Sequence, residues 1–173
     1  MAIGFICCFG ISPLKSIKLF KRGEQSVNVV TTFNEKRREK QLKYEKSVLK
    51  EISIKVLKER VSQYFGSSNL TSNLLMQSGI EEACYDVAIE AYLLGAHFSR
   101  FGYYGESAQE VKRRCTKEEK HLIDTLYNFL LYWGKGTEGV YSESLFYLCE
   151  QYVSSWWMEG FRNGERRHKL RLH

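Results

Sequence analysis

Hydrophobic residues recur at helical spacing along most of the chain beyond residue 33. After Ile80, side chains that are apolar or small follow one another at steps of four and three residues, at Ile80, Cys84, Val87, Ala91, Leu94 and Phe98. These steps place all six on one face of a helix. Ala88, Ala91 and Gly95 are small, so a second helix is expected to approach closely. The helix should stop at FGYYG (101–105), because its two glycines favour a C-terminal end.

The same reasoning predicts four further helices. Residues 34–65 form the first, 106–114 a short one, 116–133 the next and 141–161 the last, after which Gly164 leads into a basic tail. The spacings Ser78–Glu81 and Thr116–Glu119 predict capping boxes. At 173 residues the chain is long enough to bury a core without disulfides or metals. We therefore expect an all-α, single-domain antiparallel helical bundle of four long helices plus a short one.

Charge is unevenly distributed along the chain. Residues 34–60 carry ten Lys/Arg against five Asp/Glu, residues 61–161 carry seven against thirteen, and residues 162–173 carry five against one. One interpretation is that the basic ends pack against the acidic middle. The other is that they bind nucleic acid or anionic lipid. We favour the first, because domains that bind nucleic acid usually show a basic excess throughout.

The five cysteines are Cys7, Cys8, Cys84, Cys115 and Cys149. Their number is odd and no C-x-x-C pair is present, so neither a disulfide framework nor a zinc site is predicted. Cys84 and Cys149 fall on the apolar stripes, where a thiol behaves as a small hydrophobic group. This pattern is typical of a reducing compartment and predicts a cytoplasmic protein.

Residues 1–26 differ from the rest of the chain. Their apolar run is too short for a membrane span, and no positive region precedes it as in a secretory signal. We expect a poorly ordered extension and a mis-assigned start, with Val27 as the true first residue. Residues 27–173 then form a single α-helical domain with a basic C-terminal tail. Membrane association is expected only if residues 11–22, a basic amphipathic segment, belong to the working protein.

Candidate chemistry is concentrated between Asp86 and Ser107. Asp86, Glu90 and His97 share a helix flank and have the side-chain types for metal binding or acid–base work. The alternative, which we favour, is an ion pair of Glu90 with an arginine. The tyrosines that follow suit a small-molecule pocket or a partner groove, with an arginine and a glutamate as polar guides. The predicted binding residues are Glu90, His97, Arg100, Tyr103, Tyr104 and Glu106; no catalytic residue, metal ligand or cofactor is predicted.

Three strings resemble a known family. VNVVTTFNEKRREKQLKYEKSVLKEISI (27–54), IEAYLLGAHFSRFGYYGES (89–107) and the closing KLRLH are similar to the uncharacterised YbaK-like family of Bacillus-type spore-forming bacteria, which has a domain of unknown function. The resemblance implies a small cytoplasmic bacterial protein and supplies no activity or ligand.

Three functions remain after these observations. The leading hypothesis is a non-enzymatic protein that works by binding a protein partner, with its oligomeric state left open. The second is a small-molecule or metal-binding α-bundle, and possible enzyme, centred on Glu90, His97, Tyr103 and Tyr104. The third is weak association with nucleic acid or a membrane surface through the basic helix and tail.

Overall fold

The computed structural model describes residues 32–66, 79–133 and 142–170. These residues form six helices and no strand: α1 (Phe33–Leu49), α2 (Ile54–Phe65), α3 (Ile80–Tyr103), α4 (Ala108–Arg114), α5 (Thr116–Trp133) and α6 (Ser142–Lys169). The predicted all-α class is therefore confirmed. Residues 1–26 and the predicted start at Val27 lie outside the described residues.

The fold is built around α3 and α6, whose backbones meet at glycines. A Cβ atom at Gly95 would collide with the carbonyl of Trp157, and one at Gly160 would collide with the carbonyl of Tyr92. The prediction that small residues on α3 allow close approach is confirmed by this contact. Without side chains at these two positions, the helices come closer than ordinary side chains permit.

The central pair runs parallel, which differs from the antiparallel order predicted for the bundle. Near the start of both helices, Tyr152 donates a hydrogen bond to the carbonyl of Cys84 (3.0 Å). Near their ends, the rings of Tyr103 and His168 lie 5.9 Å apart. Helices α4 and α5 connect the end of α3 to the start of α6. Helix α5 is therefore antiparallel to α6, and Tyr127 near its end contacts Phe146 near the start of α6.

Aromatic side chains fill the centre of the bundle. The Tyr152 ring contacts Tyr64, Phe65 and Trp156 at centroid distances of 5.6, 5.3 and 6.4 Å. The fully buried Tyr152 thus joins α2, α3 and α6. Its burial raises the pKa of its hydroxyl, which stays protonated and keeps its hydrogen bond to α3.

The predicted single helix over 34–65 is wrong, because the chain breaks between Leu49 and Ile54. Ser53 has an extended backbone (φ −98°, ψ 147°), and its side chain accepts a hydrogen bond from the Val56 N–H at 3.3 Å. This N-cap starts a new helix. The break allows both α1 and α2 to bury apolar residues, Val48 on one and Leu57 on the other.

The predicted end of the last helix at Phe161 is also wrong, since α6 continues to Lys169. Gly164, interpreted as a helix stop, lies within α6 and packs against the Ser99 side chain and the Ala96 backbone. Most of the predicted basic tail is thus helical. Its Arg167 is buried and forms an ion pair of 2.8 Å with Glu51 of the α1–α2 junction. The basic segment 34–60 contacts the acidic middle of the chain elsewhere, since Arg60 pairs with Glu159 at 2.6 Å.

Of the two predicted capping boxes, the one between Ser78 and Glu81 includes a residue outside the described range, and the one at Thr116 is wrong. Gly79 is the N-cap of α3 with φ 102° and no side-chain capping bond. Thr116 donates its hydroxyl to preceding carbonyls, and Glu119 forms an ion pair of 3.0 Å with Lys112. A capping box forms instead at α4, between Ser107 and Glu110.

Candidate functional site

The three residues predicted for metal binding or acid–base work, Asp86, Glu90 and His97, lie on the exposed outside of α3. Glu90 and His97 are both exposed, and seven residues of helix separate them by about 10 Å along its axis. Desolvation lowers the pKa of His97, and Arg100 lowers it further, against a smaller opposite effect of Glu45. The imidazole is therefore neutral at pH 7. The structure does not bring Glu90 and His97 together.

The predicted tyrosines do come together, at the end of α3. The rings of Tyr103 and Tyr104 lie 5.4 Å apart in an edge-on contact, and His168 from the end of α6 joins them. The turn that holds them depends on Gly105, whose φ of 103° favours glycine. Tyr104 is exposed by 80% and Tyr103 by 46%. This is an open cluster of rings on the surface.

The two predicted polar guides already contact protein groups. The Glu106 carboxylate accepts hydrogen bonds of 2.8 and 2.9 Å from Arg114. The guanidinium groups of Arg100 and Arg114 lie 4.9 and 4.8 Å from the centre of the Phe101 ring. Such cation–π contacts and bidentate pairs stabilise the turn between α3 and α4. The role of all six candidates in binding stays a prediction.

Within the described part of the chain, no group of three or more His, Cys, Asp or Glu side chains is arranged to hold a metal ion. The thiols of Cys84, Cys115 and Cys149 are buried and reduced, which places the first and last in the core as predicted. Burial raises the pKa of Cys84 to about 12 and that of Cys115 to about 11. Few thiolates form at neutral pH, so these residues are poor nucleophiles.

A groove between α2 and α6 has a volume of about 520 Å³ and opens to solvent. Arg60 lies in its wall, held by Glu159 at 2.6 Å and by the ring of Trp156 at 3.9 Å. The charge of Arg60 is thus matched within the protein. The groove is a surface depression between two helices rather than an enclosed ligand cavity.

An exposed apolar surface at the junction of α5 and α6 was missed by the sequence reasoning. We define it as the α5–α6 patch, formed by Leu131, Tyr132, Phe146 and Tyr147, which are exposed by 45, 78, 36 and 59%. The contact of Tyr127 with Phe146 (5.3 Å) brings the end of α5 to the start of α6. A signal was present in the sequence, because the stripe of Leu145, Cys149 and Tyr152 turns the adjacent Phe146 and Tyr147 outwards.

Residues 27–173 match the family described as Protein of unknown function (DUF2521). The chain belongs to the DUF2521 family. It is 32% identical over 148 residues to the Uncharacterized protein YbaK of Bacillus subtilis (strain 168), a match that covers 83% of this chain and 97% of the relative. The predicted family resemblance is confirmed. No solved structure matches the chain.

None of the described helices of this DUF2521 member is both long and apolar enough to cross a bilayer.

Proposed function

We propose that this DUF2521 protein is a non-enzymatic binding module that recognises a protein partner through the α5–α6 patch. The exposure of its four apolar side chains on adjacent helices carries this proposal. Tyr and Phe are enriched in protein interfaces, where they supply large contact areas at a small entropic cost. Surface clusters of this kind mark interaction sites more often than isolated exposed residues do.

The alternative of a ligand-binding bundle has less support. Glu90 and His97 are exposed and lie about 10 Å apart along α3, and the Glu106 carboxylate already binds Arg114. The rings of Tyr103 and Tyr104 lie on an open surface. A buried ligand site usually combines an enclosed apolar cavity with a few converging polar groups.

A cytoplasmic location is part of the same proposal. The three buried thiols of the described residues are free of disulfides, which suits a reducing compartment. The partner is then another cytoplasmic protein of the same cell.

The proposal is tested by quantitative co-purification from the native host, with the gene at its own locus. The patch variant carries Tyr132→Ser and Tyr147→Ser, which remove two exposed rings without touching the buried core. The matched control is Leu42→Ser, since Leu42 of α1 is an apolar residue with similar exposure to Leu131 (46 against 45%).

We expect one or more proteins to be recovered with the wild type and with Leu42→Ser, and at least about tenfold less with the patch variant. Circular dichroism and urea denaturation check that all three proteins are equally folded. Equal recovery with the patch variant and the wild type would contradict the proposal. A small molecule retained by the purified protein and lost on Tyr103→Ser would support the ligand-binding alternative instead.

A further inference from the structure

Among the described residues, the contacts that join helix α1 to the other helices lie near its end. Tyr44 donates a hydrogen bond to the Ala96 carbonyl (3.1 Å), Ser47 binds Arg167, and Val48 is fully buried. Residues 33–43 are all exposed. Within the described part of the chain, α1 therefore docks on the other helices through its last two turns, and the same arm of another chain has the groups to make these contacts.

The junction between α1 and α2 is short and compatible with a helix. Residues 33–65 contain neither glycine nor proline, and residues 50–53 alone separate the two helices. At Ser53 the backbone is extended, and its side-chain bond to Val56 N–H replaces a helical bond. Rotation of the junction into the α-region would give one helix of 33 residues and restore the backbone hydrogen bonds that the break removes.

Three interactions of the junction hold the closed arrangement. Ser53 caps α2, Ile52 packs against the core, and the Glu51 carboxylate binds Arg167 at 2.8 Å and Arg166 at 3.3 Å. All three depend on the bent junction. The contacts of Tyr44, Ser47 and Val48 lie before the bend and do not require that arm and body belong to one chain. Short hinges between a docked element and its domain favour exchange of that element between copies.

We propose that α1 is an exchangeable arm, and that a second copy of this chain takes it up. In the dimer, α1 and α2 form one straight helix, and Tyr44, Ser47 and Val48 of each chain occupy on the other copy the positions they occupy here on their own. The monomer retains the Ser53 cap and the Glu51 ion pairs, whereas the dimer gains helical hydrogen bonds. The α5–α6 patch takes no part, so this inference is independent of the proposed function.

Two substitutions of the exposed Ser53 act in opposite directions on this equilibrium. Alanine is a poor N-cap and a good residue within a helix, so Ser53→Ala favours the straight form. Glycine is an acceptable N-cap and a poor residue within a helix, so Ser53→Gly favours the bent form. The difference in capping and the difference in helix propensity each change the ratio of straight to bent form by about fivefold. Both act once in each chain, so the dimerisation constants of the two variants should differ by at least about 100-fold.

The full-length proteins are measured by size-exclusion chromatography with light scattering from micromolar to millimolar concentration. We expect a concentration-dependent dimer that increases in the order Ser53→Gly, wild type, Ser53→Ala. For the exchange itself, normal and heavy-nitrogen chains carrying photoreactive benzoylphenylalanine at position 44 are unfolded and refolded together. Cross-links from position 44 to α3 should join chains of different isotopic mass in the dimer fraction and lie within one chain in the monomer fraction.

Three outcomes would overturn the inference. All three proteins could remain monomeric at every concentration, or the two Ser53 variants could dimerise equally. A dimer could also form in which the cross-links from position 44 stay within one chain, which would mean that the copies associate through another surface. Because Ser53 is exposed and replaced by small residues, both variants should fold, and their circular dichroism verifies this.

Discussion

Gly95 lies where the backbones of α3 and α6 meet, and an alanine there tests this contact. A Cβ atom at this position would lie 2.8 Å from the Phe161 nitrogen and 2.9 Å from the Trp157 carbonyl carbon, and closer still to the Trp157 oxygen. Cβ atoms essentially never approach other heavy atoms within 3.0 Å. These neighbours are backbone atoms of a helix and cannot turn away. Gly95→Ala must therefore push the two central helices apart.

Two opposing effects determine the magnitude. In an exposed helix, alanine is more favourable than glycine by about 1 kcal/mol. Overpacking of a buried contact costs about 1–3 kcal/mol, and the rigid backbone places this contact at the upper end. We expect Gly95→Ala to lower the free energy of unfolding by about 2 kcal/mol, with a fall in Tm of about 4–8 °C for a protein of this size.

Urea denaturation followed by circular dichroism measures this change. Gly102→Ala is the matched control, because its new methyl group would meet only the ring of Phe161, a side chain rather than the backbone of a helix. It should destabilise the protein less than Gly95→Ala does. Gly160→Ala should resemble Gly95→Ala, and the double variant should be less than additive, since one separation of the helices relieves both collisions. A Gly95→Ala protein as stable as the wild type, or more stable, would refute the close approach of α3 and α6.

Three further predictions concern buried charge, helix capping and pH. Glu51→Ala should lower the free energy of unfolding by about 3 kcal/mol, because it leaves the buried Arg167 cation without its carboxylate. Arg167→Met removes the cation itself and should lower the same free energy by less than about 1 kcal/mol. Equal losses in urea denaturation would contradict the importance of the buried charge. Ser107→Ala removes the capping box of α4 and should lower the free energy of unfolding by about 1 kcal/mol. This loss should be at least twice that of Thr116→Ala, which removes no cap. Thermal melts of both variants measure the two losses, and the reverse order would show that the box does not stabilise α4. Burial raises the pKa of Cys84 from 9.0 to about 12, so its contribution to stability is complete below pH 9 and is lost as the pH rises towards 12. The urea midpoint should therefore fall above pH 9 more steeply for the wild type than for Cys84→Val, and parallel curves would refute the buried neutral thiol.

The helices that the sequence predicts well are those with a regular apolar stripe. The steps from Ile80 to Phe98 gave the position of α3, and its small residues indicated the close contact with α6 that Gly95 makes. Helix α5 begins and ends as predicted, at Thr116 and Trp133. In each case local spacing and burial on one face specify the same structure.

The differences arise where tertiary contacts override local signals. The bend at Ser53 has no glycine or proline to mark it, and it exists because both neighbouring helices reach the core. Gly164 looks like a helix end in the sequence, but it lies within α6. A glycine fits at this position because Ser99 occupies the space that a side chain would need. The parallel direction of α3 and α6 could not be predicted either. The periodicity of a sequence indicates which face of a helix is buried, but not whether the neighbouring helix runs parallel or antiparallel to it.

The candidate site was predicted only in part. Tyr103 and Tyr104 lie together as their sequence position suggests, whereas His168 joins them from a segment that was interpreted as a tail. Glu90 follows a buried run of α3 but faces outwards, because one residue of helix rotates the side chain by about 100°. The α5–α6 patch depends on the pairing of two helices and could not be derived from either alone.

Site-specific photo-cross-linking in the native host tests the central claim most directly. Benzoylphenylalanine replaces Tyr147 in the α5–α6 patch and, as the matched control, Leu42 on the exposed side of α1. We predict a discrete covalent adduct with one protein from position 147, absent from position 42, and lost when Tyr132→Ser is added. The claim would be contradicted if position 147 gave no adduct, or if both positions gave the same set of adducts.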